Sequence, residues 1–259
     1  MTSIQRYPVQ FVGAGPGDIE LITVKGRRLL DDADIIVYAG SLVNPQLLDG
    51  CRATVHDSSG LDLGEILELM ARGWQQGLKV VRLHTGDPSI YGAIHEQMVL
   101  LDEQSIPYEI TPGVSSAFAA AASLKAELTL PELAQTVIIT RQEGRTPVPE
   151  KEKLSLLASH QTTMLIFLSA SLLGKVVAEL AAGGYPAETP VVIVERASWN
   201  NERIIRGTLG NICALAEAQQ VRKTAMICVG RVFARQLPVT LSKLYDRHFS
   251  HGTREARDD

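Results

Sequence analysis

Lys79-Val80-Val81-Arg82-Leu83-His84-Thr85-Gly86-Asp87-Pro88-Ser89-Ile90-Tyr91-Gly92 is the stretch whose reading decides the fold. The apolar run from Val80 and Val81 to Leu83 predicts a strand. It empties into a turn in which Gly86 lets a ligand approach the backbone, Pro88 fixes φ and Gly92 permits a second reversal. A strand that ends in such a shaped loop and is followed by a helical pattern is the unit of an α/β sheet, whose ligands bind outside the carboxyl ends of its strands.

The same rhythm extends on both sides. Apolar runs at Val9–Val12, Ile35–Tyr38 and Tyr108–Ile110 predict further strands, separated by helical patterns. The clearest helix begins after Asp62: Leu63, Ile66, Leu67, Met70 and Trp74 recur at spacings of three and four, and Asp62 is placed to cap it. Beyond Pro131 the pattern restarts, with strands expected at Val137–Thr140, Met164–Leu168, Val191–Glu195 and Ala225–Val229, and helices at Ser171–Leu180 and Leu209–Ala218. A short run at Arg203–Arg206 adds antiparallel strands to the second sheet. We therefore expect an N-terminal α/β domain over 1–116, a linker over 117–131, a C-terminal α/β domain over 132–247 and a fraying tail over 248–259.

Bulk properties agree with this division. At 259 residues the chain exceeds the usual size of one core, and 45% hydrophobic with 21% charged residues is the balance of a globular protein. A net charge of −4 argues against a general nucleic-acid binder, whose affinity rests on phosphate contacts. Cys51, Cys213 and Cys228 are odd in number and lack zinc-site spacing, so they read as buried thiols in a reducing compartment, with no metal site. Arg6, Pro8 and Gln10 occupy the place of a signal peptide's apolar core, so the start is expected to be the native one. The longest apolar stretch, Met164–Leu173, is too short to span a bilayer. A cytoplasmic protein is the expectation.

Two other strand ends carry loops of the same kind. Gly13-Ala14-Gly15-Pro16-Gly17-Asp18 follows the first strand in the position of a dinucleotide fingerprint, but Asp18 replaces its final glycine and Pro16 alters the turn. A nicotinamide site and a tight structural turn both remain open there. Pro112-Gly113-Val114-Ser115-Ser116 follows a short strand and opens an apolar helix, with Ser115 or Ser116 in the place of an N-cap. In the central loop, Asp87 before Pro88 reads either as a cap for the next helix or as part of a backbone cradle for an adenosine or amino-acid moiety. All three loops can meet on one rim.

Taken together these loops resemble the tetrapyrrole methylase family of S-adenosylmethionine-dependent methyltransferases. The matching stretches are Val12–Asp18 with Glu20, Leu21, Thr23, Lys25 and Gly26; Gly86, Asp87 and Pro88 with Tyr91 and Gly92; Pro112–Ser116; and Val229 with Gly230. Within the family, Tyr38-Ala39-Gly40-Ser41-Leu42-Val43, His84, Glu143–Pro149 and Ala197-Ser198-Trp199 resemble the branch that methylates C11 of precorrin-4 or cobalt-precorrin-4. The uroporphyrinogen III branch usually has glycine where this chain has Thr85, and lacks the Tyr38–Val43 run.

The resemblance implies a class III methyltransferase fold of two α/β domains forming a cleft, a homodimer, and S-adenosylmethionine as donor, with S-adenosylhomocysteine as product. By motif position the donor pocket would take Pro16, Thr85, Gly86, Asp87, Ile90, Tyr91, Ser115 and Ser116, and from the second domain Leu168, Ala197, Thr224 and Ala225. Leu168 stands where relatives often have methionine. The implied substrate is an anionic tetrapyrrole, for whose carboxylates Arg141 and Arg145 are the leading ligands, since arginine offers paired donors. Solvated surface arginines are the alternative reading. Tyr38 and His84 would face the same rim, to contact the macrocycle or move its protons, although a lone histidine is more often structural. Asp87 is a possible base, but no catalytic base is assigned, because methyl transfer depends mainly on positioning. Another tetrapyrrole methylase and a non-catalytic donor-binding module are the rival functions.

Overall fold

A computed structural model describes residues 5–237, Ser242 and 246–256. The last residues of the expected tail, 257–259, and residues 238–241 and 243–245 lie outside the described residues. The chain divides into two compact units. The first comprises Met1–Ala120 together with Arg196–Glu202; the second comprises Ala121–Glu195 and Arg203–Asp259.

The first unit is built on a five-stranded parallel sheet in the order β3-β2-β4-β1-β5, formed by β1 (Val9–Gly13), β2 (Ile35–Tyr38), β3 (Thr54–Asp57), β4 (Val80–His84) and β5 (Tyr108–Thr111). Its helices are α1 (Val24–Asp31), α2 (Leu63–Gln75), α3 (Ile94–Glu103) and the start of α4 (Ser116–Leu124). Parallel strands need both faces covered, and alternate residues of the same strand serve the two faces. Val9, Phe11 and Val80 pack with Ile66 and Met70 of α2 and Ile94 and Leu101 of α3. Val12, Ile36, Val81 and Leu83 pack with Leu30 of α1 and with Val43 and Leu47.

Local sequence explains the helix starts. Asp62 accepts the Glu65 N–H while Glu65 accepts the Asp62 N–H, a reciprocal cap that fixes the first turn of α2. Thr23 caps α1 through the Gly26 N–H. Asp87 does not cap α3, contrary to one of its two readings. Six residues separate it from Ile94, the position before the helix is Ala93 in a left-handed conformation with no side-chain cap, and the Asp87 carboxylate is engaged elsewhere. The strand β3 was not expected: it is an edge strand whose side chains are largely exposed, so it lacks an apolar run.

The second unit has a mixed sheet in the order β6-β7-β10-β8-β9, formed by β6 (Val137–Arg141), β7 (Thr163–Phe167), β8 (Pro190–Glu195), β9 (Arg203–Thr208) and β10 (Ala225–Val229). Only β6 and β7 are parallel; β10 runs antiparallel to β7 and β8, and β9 antiparallel to β8, as Arg203–Arg206 predicted. Met164, Ile166, Val191, Ile193, Ile227 and Val229 bury one face against α5 (Leu154–Ala158), α6 (Leu173–Ala182) and α7 (Ile212–Ala218). Residues 117–124 of the expected linker are helical, forming the body of α4. Of the three cysteines only Cys228 is buried; Cys51 and Cys213 are half-buried, the Cys51 sulfur accepting from Arg27.

Candidate functional site

Three strand ends in the first unit converge because β4, β1 and β5 are neighbours, and their loops are pressed together backbone to backbone. Gly86 donates to the Gly15 carbonyl at 2.8 Å and accepts from the Gly15 N–H at 3.3 Å, while Ala14 donates to the His84 carbonyl at 2.7 Å. A Cβ on Gly13 would stand 2.6 Å from the Gly86 oxygen and from Gly113, and one on Gly113 would stand 2.1 Å from that oxygen. Glycine at 13 and 113 is therefore required by close approach. The Asp87 carboxylate bridges the second and third loops: one oxygen accepts the Ser89 N–H at 2.8 Å and the other the Gly113 N–H at 2.9 Å. Ser115 starts α4, its hydroxyl accepting the Ala117 N–H and its carbonyl the Phe118 and Ala119 N–H groups.

The first loop is clasped from elsewhere in the sequence. Residues Arg196–Glu202, between β8 and β9, belong to the first unit, so Ala197 lies there and not in the second unit as expected. The Trp199 indole N–H donates to the Pro16 carbonyl at 2.8 Å, and its ring covers Gly17 so closely that a Cβ there would overlap it. The Ser198 hydroxyl accepts the Asp18 N–H at 3.0 Å, and the Asn44 amide donates to the Gly17 carbonyl at 2.8 Å. The loop after β1 is thus followed by a short 3-10 turn, Ile19–Leu21, capped by Asp18, and not directly by a helix as a dinucleotide turn would be.

Beside these loops, β2 ends at Tyr38, whose hydroxyl donates to Asp57 at 3.3 Å. Partial burial and then the Asp57 charge raise its pKa. The Tyr38 carbonyl accepts both the N–H and the hydroxyl of Ser58. Beneath this end lies Arg82, buried and without a carboxylate partner among the described residues. It donates to the Gln97 amide oxygen at 3.1 Å, the Val37 carbonyl at 3.2 Å and the Ser58 hydroxyl at 3.0 Å, and desolvation lowers its pKa to about 10. His84, on the same face of β4, is only 4% exposed, stacks on Phe11, and leaves Nε2 without a hydrogen-bond partner among the described residues. Burial, and secondarily Arg82, push its pKa down to about 3, so it is neutral at physiological pH.

In the second unit Leu168 follows β7 with 66% of its surface exposed, and Thr224 and Ala225 lie where β10 begins. Arg141 ends β6. Its guanidinium donates to the Thr146 carbonyl at 3.1 Å and the Pro147 carbonyl at 2.6 Å. Arg145 is exposed on the loop that these bonds close.

Several of these positions have left-handed backbone, as do residues outside them such as Ser105, Lys125 and Gln161. Tyr91, Leu168 and Thr224 have φ of 56°, 53° and 52°, Gly86 has 60°, and Arg196 and Ser198, on either side of Ala197, have 51° and 68°. Left-handed conformations cost non-glycine residues about 1–3 kcal/mol each. In the first unit Ile90 and Tyr91 are both exposed and offer apolar surface, while Pro16 and Ser115 are buried and Thr85 and Ser116 half-buried. This is a chemistry of backbone polar groups and apolar walls. It fits an adenosyl and amino-acid ligand, and among the described residues no three His, Cys, Asp or Glu side chains gather as for a metal ion.

Reading 80–83 as an apolar run passes over Arg82, although Val80, Arg82 and His84 share a strand face; a charge at an inward register position is the signal that finds it. The Asp87–Gly113 bridge and the Trp199 clasp join residues far apart in sequence, and no local pattern announces them.

The family model for tetrapyrrole (corrin/porphyrin) methylases matches residues 8–213. Over 250 residues the chain is 56% identical to a protein of Methanocaldococcus jannaschii named cobalt-precorrin-4 C(11)-methyltransferase, covering 96% of both. Among solved structures, that of a cobalamin biosynthetic enzyme, cobalt precorrin-4 methyltransferase, superimposes with a TM-score of 0.86 at 48% identity, covering 88% of this chain and 96% of that one. A uroporphyrin-III C-methyltransferase from Thermus thermophilus, complexed with S-adenosylhomocysteine, gives 0.75 at 30% identity, covering 87% and 98%.

Proposed function

This chain belongs to the tetrapyrrole (corrin/porphyrin) methylase family, and on that footing we propose that it transfers a methyl group from S-adenosylmethionine to C11 of precorrin-4 or cobalt-precorrin-4 in cobalamin biosynthesis. The observation that carries the reading is 56% identity across 96% of the chain to a protein named for that reaction, against 30% to the uroporphyrin-III enzyme. The Tyr38–Val43 run and Thr85 support the same branch.

The donor supplies an electrophilic methyl on a cationic sulfur, which the macrocycle carbon displaces as a neutral thioether. The chain's part is to hold and align. In the first unit the residues proposed to hold the donor are Pro16, Thr85, Gly86, Asp87, Ile90, Tyr91, Ser115, Ser116 and Ala197; in the second they are Leu168, Thr224 and Ala225. The glycines at 13 and 113 let the loops close directly on one another, and the Asp87 bridge keeps them from moving apart. Such pre-set geometry supplies ~7–11 kcal/mol of barrier reduction without a dedicated acid or base.

The carboxylates of the tetrapyrrole are assigned to Arg145, with Arg141 in the same loop and Tyr38 on the first unit. His84, neutral and interior, supports the rim from beneath through the loop it precedes and does not itself reach the macrocycle. Cobalt, where the substrate contains it, belongs to the macrocycle. The reading includes a homodimer, on family grounds, and a cytoplasmic location, with which the lack of any membrane-spanning helix among the described residues is compatible. Incubation with S-adenosylmethionine and precorrin-4, with and without cobalt, tests the proposal. A singly methylated product carrying the group at C11 is expected; no turnover, or methylation at another carbon, would overturn it.

A further inference from the structure

We infer that Arg141 is a positioning residue: its guanidinium holds the loop after β6 closed from within and so presents Arg145 as the cation that meets the substrate. This rests on the carboxylate-binding reading of Arg145 above and reassigns Arg141 from ligand to clasp.

The charges of the loop sort themselves by partner. Two nitrogens of Arg141 donate to the carbonyls of Thr146 and Pro147, five and six residues along, which turns 142–147 back onto the end of β6. An arginine aimed at two carbonyls across its own loop offers only what is left of its fork to a carboxylate, whose recognition favours both donors together. Glu143 is neutralised by Lys175, which lies 3.8 Å from its carboxylate and donates to its carbonyl at 3.3 Å. The near end of the loop is fixed at Gln142, whose N–H donates at 2.8 Å to the hydroxyl of Ser169, a fully buried residue. Gly144 lies against Leu172. Arg145 alone among these charges has no ion-pair or hydrogen-bond partner among the described residues, and it is exposed at the turn of the loop.

An exposed arginine on an open loop loses rotamer and backbone entropy on each binding event. A loop closed beforehand has already met that cost, so the clasp acts on substrate affinity through Arg145.

Two readouts separate this from direct contact. Arg141→Met keeps the stem and removes the donors, and the loop is at the surface, so the fold should be retained; circular dichroism and the unfolding midpoint check this. In the native protein, trypsin should cut after Arg145 about tenfold faster in Arg141→Met than in the parent, a change of ~1.4 kcal/mol in the cost of opening. Arg141→Lys, with one ammonium in place of the fork, should fall between. In steady-state assays Arg141→Met and Arg145→Ala should raise the KM for the tetrapyrrole by similar factors with S-adenosylhomocysteine affinity unchanged, and the double variant should be no worse than the poorer single within ~2-fold. Additive losses with unchanged trypsin cleavage would overturn the inference and make Arg141 a direct ligand. Faster cleavage with an unchanged KM in both single variants would support the clasp while overturning the carboxylate reading of Arg145.

Discussion

Replacing Gly113 by alanine puts the three-loop junction to the test. The added methyl would stand 2.1 Å from the Gly86 carbonyl oxygen and 2.8 Å from Gly13 Cα. Carbon and carbonyl oxygen ordinarily approach no closer than ~3.3 Å, so something must retreat by ~1.2 Å. Both obstacles are backbone. The Gly86 carbonyl already accepts from Gly15, and Gly113 is tied to Asp87 through its N–H at 2.9 Å, so any retreat breaks one of these bonds. Overpacking costs ~1–3 kcal/mol and a lost hydrogen bond ~1 kcal/mol, which together give ~2–4 kcal/mol of destabilisation. A displacement near 1 Å at a binding loop is also worth ~100-fold in activity. Urea unfolding and calorimetry with S-adenosylhomocysteine are the assays, and affinity should fall by at least ~30-fold, or ~2 kcal/mol. Gly174→Ala is the control: its Cβ meets nothing within 4 Å on α6, so it should leave affinity alone and stabilise by up to ~1 kcal/mol. A Gly113→Ala protein with the parent's unfolding midpoint and an affinity within ~3-fold would refute the packing argument.

Trp199→Phe removes the N–H that reaches the Pro16 carbonyl while keeping an aromatic ring over Gly17; it should cost ~1 kcal/mol in stability and weaken donor binding, both read by calorimetry. Asp87→Asn keeps one acceptor of the two that bridge the loops and should cost ~1–2 kcal/mol in urea unfolding, with donor affinity falling alongside. His84 gives a pH signature. Burial holds its folded pKa at about 3, below the ~6.5 of an unfolded histidine, so the unfolded chain takes up the proton first. Its contribution to stability is whole above ~pH 6.5 and declines as pH falls toward 3, amounting to a loss of ~2 kcal/mol by pH 5. The slope of unfolding free energy between pH 7 and pH 5 should flatten in His84→Gln; an unchanged slope would show that this residue is not the source.

What the sequence disclosed follows from where the physics is local. The spacing of Leu63, Ile66, Leu67, Met70 and Trp74 located α2, and Ile35–Tyr38 and Ala225–Val229 were found to the residue, because buried strands and amphipathic helices write their periodicity into consecutive positions. Met164–Leu168 was displaced by one, since Leu168 is apolar but turns left-handed out of the strand. Thr54–Asp57 escaped because an exposed edge strand has no buried face to pattern. At the candidate site the glycines at 13, 86 and 113 were legible as turns, but not as one packed junction. The partners of Asp87, Arg82 and Arg141 are set by tertiary placement, and a helix cap, an apolar run and a carboxylate ligand are what each resembles when read along the chain alone.

The clasp on the first loop also bears on the order in which the protein can be made. Pro16 and Trp199 are 183 residues apart, and the first unit draws Arg196–Glu202 from between two strands of the second sheet. As the chain leaves the ribosome, all five strands of the parallel sheet are available by residue 111, yet the loop after its first strand stays unclasped until residue 199 has emerged. Contacts of such long separation are slow to close. The parallel sheet can therefore form early, while its first loop acquires its final shape only after more than three-quarters of synthesis or late in refolding. A chain ending at residue 120 would keep Gly86 and Asp87 and lack that last constraint.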